Sequence, residues 1–195
     1  SGSKEKVDWS VLWRFAERHQ VTFFGAGAAF FTNCMKAGLD ISTCGDLSKV
    51  RALGCTGSPL SADVQIWGNE QFANIKRDIW WCNISGGTDF CGAFIGGNRE
   101  LPSIPGQMQT RLLGCAVEAW NDAGEPVIDE VGELVCTQPI PSMPLYFLND
   151  AGNARYISSY FDMYSKAMPD GSRSPVWRHG DWLKIGTDGG CIIYG

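Results

Sequence analysis

Helix and strand signals alternate along the first hundred residues, and this alternation restricts the fold more than any other feature of the chain. Apolar residues recur at spacings of three and four after Asp8, which predicts a capped amphipathic helix with Trp9, Leu12, Trp13 and Ala16 on its buried face. Five further segments follow in strand and helix order: 21–24, 28–37, 50–55, 61–72 and 79–84. This order predicts an α/β fold with a partly parallel sheet and flanking helices.

Beyond Gly106 the signals change to short strands that alternate with turns. Strand-like runs lie at 112–120, 132–137 and 182–185, and one short helix is predicted over 153–160. We therefore predict a small, mainly antiparallel and barrel-like β subdomain after the α/β part. The predicted division of the chain is 1–106 and 107–195.

The composition argues against two classes of partner. The 195 residues carry a net charge of −5 and no basic block, whereas proteins that bind nucleic acid cluster Lys and Arg against the phosphates. No apolar stretch reaches the roughly 18 residues of a membrane span. No signal peptide is visible, and Ser1-Gly2-Ser3 resembles a remnant of an expression vector, so we expect the natural chain to begin further upstream.

Eight cysteines lie mostly inside apolar runs, and no C-x-x-C pair occurs among them. His19 and His179 have no cysteine at metal-ligand spacing, so no zinc site is predicted. Buried free thiols in a reducing cytoplasm account for this pattern. The alternative is a secreted, cystine-rich β protein, in which the thiols would be paired.

The segment 85–89, with the sequence Ser-Gly-Gly-Thr-Asp, follows the apolar run at 79–84 and forms the first candidate site. Its two glycines allow the backbone to turn sharply and to approach a ligand closely. Thr88 can donate to a phosphate oxygen, and Asp89 offers the hard oxygen that Mg²⁺ prefers. The competing interpretation is a plain turn in which Asp89 caps a following helix.

Two further segments suit a nucleotide. Asp181, within His179-Gly180-Asp181-Trp182, has two acceptor oxygens that can receive both hydroxyls of a ribose. The turn Gly57-Ser58-Pro59-Leu60 lies between a predicted strand and a predicted helix, where its backbone can lie against a heterocycle. The competing interpretations are a surface-turn aspartate, an ordinary strand-to-helix connection and a structural histidine at 179.

These segments, in this order, resemble the adenylate-forming ligases, the superfamily of acyl-CoA synthetases, peptide-synthetase adenylation domains and luciferases. The match covers nearly the whole chain and includes Gly132-Glu133-Leu134 and Asp188-Gly189-Gly190. The resemblance implies that Thr88 and Asp89 are the catalytic pair, Thr88 at the α-phosphate and Asp89 as the Mg²⁺ ligand. The other residues to which it assigns roles are Phe24 and Gly25 in the acyl pocket, Gly57, Ser58, Pro59 and Ser85 around the adenine, Gly86 and Gly87 at the nucleotide, and Asp181 at the ribose.

A narrower set of segments resembles the branch of the superfamily that activates acetoacetate: 85–89, 96–98, 105–109, 154–156 and 177–182. The resemblance implies that the acid attacks ATP, that pyrophosphate leaves, and that the thiol of coenzyme A then takes the acyl group from AMP. The superfamily's lysine-containing phosphate loop and its C-terminal lid are not among these residues. We therefore expect part of an enzyme that is inactive by itself, with a longer-chain acyl-CoA ligase or a non-catalytic binding module as alternatives.

Two positions depart from the superfamily's pattern. Asp89 stands where glutamate is commoner, and its side chain is one methylene shorter, so its metal contact is expected to run through water. Gly86 stands where the related acetate-activating enzymes have a tryptophan that closes the acyl pocket. We expect the missing ring to leave room for an acyl group larger than acetyl, and a Gly86→Trp exchange to shift the preference toward acetate.

Overall fold

A parallel sheet of three short strands forms in the first part of the chain. The computed structural model describes residues 7–195, so the expected remnant Ser1-Gly2-Ser3 lies outside the described residues. The strands pair in sequence order: β1 (Phe23–Gly27), β2 (Ala52–Thr56) and β3 (Trp80–Asn83). The helices that alternate with them are α1 (Val11–Arg18), α2 (Ala28–Lys36) and α3 (Ala62–Asn74). The predicted α/β part is thereby confirmed.

Aromatic side chains on one face of this sheet build the first core. Trp13 of α1 stacks on Phe24, with ring centroids 4.4 Å apart, and Phe31 of α2 meets Trp81 edge to face at 5.2 Å. The predicted face of α1 is wrong at Leu12, which is 45% exposed. Neighbouring residues point about 100° apart on a helix, so Leu12 turns away when Trp13 faces the core.

The later part of the chain consists of two antiparallel sheets and one helix. A small sheet contains β4 (Ser85–Gly87), β5 (Gly92–Gly96) and β6 (Thr110–Arg111). The strands of the larger sheet are β7 (Val117–Trp120), β8 (Pro126–Val127), β9 (Val131–Cys136), β10 (Tyr164–Ala167), β11 (Arg173–Ile185) and β12 (Cys191–Ile193). Helix α4 (Ala154–Tyr160) lies where the sequence predicts it. A mainly antiparallel β part therefore follows the α/β part, and the predicted fold class is confirmed.

Two local predictions are corrected by the β-rich part. Ser85–Gly87 is a strand and not a sharp glycine turn, because it pairs with β5, and the turn comes after it at 88–91. β11 has 13 residues, whereas the sequence predicts a strand only over 182–185. The sequence pattern misses the first part of this strand because it contains Pro175 and Gly180, and neither residue type is typical of a strand interior.

The chain packs as two compact units, which divide after Asn83 and not after residue 106. The first unit includes 102–106, and the second comprises 84–101 and 107–195. The segment 84–101 belongs to the second unit because its apolar residues share one core with the larger sheet. That core includes Phe90, Phe94, Ile95, Val117, Leu134 and Trp177. Whether each unit is an independent domain stays a prediction.

No helix within residues 7–195 combines the length and the apolar character needed to cross a bilayer. Short 3₁₀ helices at Ile41–Cys44 and Ala151–Asn153 complete the described elements. None of the eight cysteines, all of which lie within residues 7–195, forms a disulfide, and most of them are buried.

Candidate functional site

The Thr88–Asp89 turn joins two short antiparallel strands in the second unit. β4 pairs with β5 through Gly87↔Gly92, and Cys91 closes the turn with a φ of +53°. The Cys91 amide donates to the Thr88 carbonyl at 3.2 Å. A strand follows Asp89, so the competing interpretation of Asp89 as a helix cap is wrong. Thr88 and Asp89, at the tip of this turn, are both exposed to solvent.

Gly86 and Gly87 leave no room for a side chain, and the reasons differ. A Cβ at Gly86 would overlap the backbone of Gly92 on the neighbouring strand, whereas a Cβ at Gly87 would overlap Asp89 Oδ1 and lie 2.9 Å from His179 Cε1. Gly86 is therefore required by strand pairing and Gly87 by the site. A Gly86→Trp exchange would push β4 away from β5, so it does not test the acyl preference cleanly.

Asp89 is held by a residue from a distant helix. The Tyr160 hydroxyl donates to Asp89 Oδ2 at 2.8 Å, and the Tyr160 ring stacks on Trp177 with centroids 3.8 Å apart. Burial, together with the hydrogen bond to Asp89, raises the pKa of Tyr160 to about 12. The phenol is consequently a neutral donor at physiological pH.

Asp181 lies at a bend of β11, residues 179–181, where the register of the strand is interrupted; this bend is called the Asp181 corner. Pairing with β9 shifts after Arg178, and Gly180 takes a φ of +93°, which glycine adopts without strain. Glu133 of β9, only 5% exposed, accepts hydrogen bonds from the Gly180 amide at 2.8 Å and from Arg178 Nε at 3.2 Å. A buried carboxylate thus fixes the corner, and Asp181 remains partly open.

His179 lies between the two candidate carboxylates. Its Nε2 is 3.7 Å from Asp181 Oδ2, and its ring meets Phe94 edge to face at 4.9 Å. The His179 side chain is 8% exposed, and its Nδ1 has no hydrogen-bond partner among the described residues. Cε1 of the same ring lies close to Gly87, next to the Asp89 carboxylate. The imidazole therefore neighbours both the Thr88–Asp89 turn and Asp181. Two segments about ninety residues apart in the sequence therefore meet in one unit.

The carboxyl edge of the parallel sheet carries the predicted adenine segment in the first unit. Cys55 pairs with Asn83 across β2 and β3, so the turn at Gly57, Ser58 and Pro59 begins beside the end of β3. Gly57 has a φ of +86°, and the turn is exposed. Asn83 is buried, and its Oδ1 has no hydrogen-bond partner among residues 7–195. Asn83 Nδ2 donates to Gln65 Oε1 at 3.4 Å, so this side chain is packed inside the first unit, behind the turn.

The residues predicted for the acyl pocket point to opposite faces of β1. Phe24 is buried in the core against Trp13, whereas Gly25 is exposed. Successive side chains of a strand alternate between its faces, so the aromatic residue on the face of Gly25 is Phe23. Phe23 is 51% exposed and covers Gly54 of the neighbouring strand. The pocket assignment of Phe24 and Gly25 together has no support in this geometry.

Ser85, which the resemblance places near the adenine, belongs to the second unit. It is half-buried in β4 and pairs with Ile95 of β5. Its nucleotide role stays a prediction, as do the roles of Gly86 and Gly87.

Over the described residues, no group of three or more His, Cys, Asp or Glu side chains is arranged to hold a metal ion. Mg²⁺ commonly takes only one or two carboxylates and completes its shell with water and substrate phosphate. Asp89, exposed beside Thr88, fits that donor set.

Two contributors to the site escape sequence reasoning. The sequence identifies Glu133 only as part of a strand motif, because the residue that it contacts, Gly180, is 47 positions away. Tyr160 leaves no signal, because it is 71 residues from Asp89.

The chain is similar to known proteins in sequence and in fold. No family model matches the chain. Acetoacetyl-coenzyme A synthetase of Rhizobium meliloti (strain 1021) is 39% identical over 194 residues, which is 100% of this chain and 28% of the relative. Acetoacetyl-CoA synthetase of Gallus gallus is 37% identical over 184 residues, covering 94% of this chain and 26% of the relative. The chain thus spans just over a quarter of the length of these relatives.

Solved structures show the same similarity. Acetoacetyl-CoA synthetase from Streptomyces lividans superposes with a TM-score of 0.85 at 42% identity, over 96% of this chain and 28% of that one. An anthranilate CoA ligase in complex with anthranoyl-AMP superposes with a TM-score of 0.74 at 19% identity, over 96% of this chain and 32% of that one. The second comparison shows a shared fold alone.

The predicted resemblance to the adenylate-forming superfamily is therefore confirmed. Within that superfamily, the chain is similar to a segment of the acetoacetyl-CoA synthetases, as the narrower set of motifs predicts.

Proposed function

We propose that this chain forms the nucleotide-binding part of an ATP-dependent ligase that joins acetoacetate to coenzyme A. The observation that carries the proposal is the meeting of the Thr88–Asp89 turn and the Asp181 corner on either side of His179. Similarity to acetoacetyl-CoA synthetases along the whole chain supports the choice of acid. The complete reaction is proposed for a protein that includes these residues and has the length of its relatives.

In this proposal, ATP is bound mainly by neutral and acidic groups that orient it. Within the second unit, Asp181 accepts the ribose hydroxyls. The role of the Gly57–Pro59 turn of the first unit at the adenine is proposed on the resemblance alone. Thr88 donates to the α-phosphate as the acid attacks it. Such positioning supplies much of the rate in phosphoryl and adenylyl chemistry.

Asp89 would hold Mg²⁺, which neutralises charge on the phosphates when it is bound. The Tyr160 hydrogen bond leaves Asp89 Oδ1 without a partner among the described contacts, so that oxygen is available to the ion or to its water. Coenzyme A is assigned as the acyl acceptor on the resemblance alone. A cytoplasmic location belongs to the same proposal and is supported by cysteines that are mostly buried and form no disulfide.

The decisive experiment measures ATP–pyrophosphate exchange with acetoacetate in the longest natural product that contains this chain. Asp181→Asn should raise the KM for ATP about tenfold or more, because hydrogen bonds to a charged acceptor are the strong ones. Asp170→Asn is the matched control, since Asp170 is an exposed turn aspartate of the same unit whose carboxylate accepts hydrogen bonds from the neighbouring Ser172. The control should stay within about twofold of the wild type.

A panel of acids separates the proposal from its rivals. Preference for acetoacetate over acetate and octanoate supports it, whereas preference for octanoate would make the protein a longer-chain acyl-CoA ligase. Nucleotide binding with no exchange for any acid would instead establish a binding module. The isolated 195-residue chain should show no exchange, and robust adenylation by it would contradict the expectation that it is inactive alone.

A further inference from the structure

We propose that Tyr160 is a positioning residue for Asp89, and that its hydroxyl makes aspartate rather than the longer glutamate the acid that fits this turn. The inference rests on the proposed function for its consequences in metal binding. Its structural basis is the hydrogen bond from the Tyr160 hydroxyl to Asp89 Oδ2.

Asp89 needs such a partner because its own segment does little to fix it. The side chain is exposed in a four-residue turn, whose backbone is held by a hydrogen bond from the Cys91 amide to the Thr88 carbonyl and by the pairing of Gly87 with Gly92 on either side. An exposed carboxylate samples several rotamers, and ordering it upon binding costs conformational entropy. The 2.8 Å bond to Tyr160 removes part of that freedom in advance.

Tyr160 is itself held firmly. It is the last residue of α4, and its ring stacks on Trp177 at 3.8 Å with an interplanar angle of 10°. Trp177 is 1% exposed, and the rings of Phe147 and Phe161 approach Tyr160 edge to face at 5.9 and 6.4 Å. The hydroxyl therefore reaches the turn from a packed support.

The opposite side of the carboxylate is also bounded. Asp89 Oδ1 occupies the volume that a Cβ at Gly87 would take, next to Cε1 of His179. Between the phenol on one side and Gly87 on the other, the space suits a side chain with one methylene. A glutamate that kept the direction of Asp89 would carry its carboxylate one bond further, past the point where the Tyr160 hydroxyl now donates.

The first test compares Tyr160→Phe with the matched control Tyr156→Phe. Both variants remove one phenol hydroxyl from α4, but the Tyr156 hydroxyl donates to the Pro144 carbonyl and does not contact Asp89. Binding of Mn²⁺, used as a probe for Mg²⁺, is measured by paramagnetic resonance in the presence of ATP. We expect Tyr160→Phe to weaken Mn²⁺ binding about tenfold, the size of effect typical of a lost hydrogen bond to a charged group, and Tyr156→Phe to change it less than about twofold. Equal effects of the two variants would overturn the positioning role.

The second test is independent of metal and activity. The urea midpoint of unfolding is measured for Asp89→Glu, Tyr160→Phe and the double variant. We expect Asp89→Glu to lower the midpoint and Tyr160→Phe to restore it, because removal of the hydroxyl makes room for the longer acid. Additive shifts would overturn the proposal that Tyr160 selects the length of the acid.

The two tests separate this inference from the proposed function. A wild-type protein that binds no Mn²⁺–ATP contradicts the proposed function, and the unfolding midpoints still decide whether Tyr160 and Asp89 are coupled. Normal Mn²⁺–ATP binding that is insensitive to Tyr160→Phe contradicts the inference and leaves the proposed function standing.

Discussion

Adjacent glycines at 86 and 87 show how closely the role of a residue depends on what surrounds it. The backbone of Gly92 excludes a side chain from Gly86, whereas Asp89 and His179 exclude one from Gly87. Both glycines have extended backbones, so neither is needed for an unusual φ angle. The sequence suggests a flexible turn here, but close approach to neighbouring groups is what requires the two glycines.

Glu133 illustrates a buried charge whose function is to hold the backbone at a site. We expect Glu133→Ala to lower the free energy of unfolding by about 3 kcal/mol, because it leaves the Gly180 amide and the Arg178 guanidinium without their acceptor. Urea unfolding measures the effect, and Glu130→Ala, at an exposed position of the preceding loop, is the control. A loss equal to that of the control would mean that the corner does not depend on Glu133.

At the scale of elements, α4 and β11 form a support for the Asp89 turn. Tyr160 and Phe161 contact the buried Trp177 of β11 through their rings, and Tyr156 packs edge to face against both of them. Such aromatic pairs add to the burial of their surface and fix the relative orientation of the elements. The helix thereby places a phenol hydroxyl where the turn needs a donor.

This arrangement predicts a loss of stability at alkaline pH. The pKa of Tyr160 is about 12 in the folded chain, against 10 for an unperturbed phenol. Above pH 10 the unfolded state releases this proton while the folded state keeps it, so the stability contributed by Tyr160 falls as the pH rises through about 12. Unfolding midpoints measured between about pH 9 and 12 should fall less steeply for Tyr160→Phe than for the wild type. Parallel curves would show that another group controls alkaline unfolding.

At the scale of the whole molecule, the cysteines distinguish a reduced interior from a disulfide framework. Cys91 is exposed, whereas burial raises the pKa of Cys55 and of Cys191 to about 11. We expect a thiol reagent at neutral pH to modify Cys91 first in the native chain and all eight thiols after denaturation. Cys91→Ser should remove the fast phase, and fewer than eight thiols in denaturant without reductant would indicate disulfides.

The sequence by itself determined the alternation of elements and the identity of the motifs. Periodicity revealed α2, α3 and the parallel strands, because hydrophobic spacing depends only on local geometry. Motif order likewise marked Thr88, Asp89 and Asp181 as one set through the resemblance to a superfamily. These features are encoded by neighbours in the chain, so they can be read without coordinates.

Only the tertiary structure decided which distant residues complete the site. Tyr160, Glu133 and His179 act through contacts across 47 to 92 residues, and nothing in their local sequence specifies those partners. The same is true of the strand at Ser85–Gly87, whose conformation comes from pairing with β5 and not from its glycines. Strand pairing and side-chain packing are long-range interactions, so they override local propensity where the two disagree.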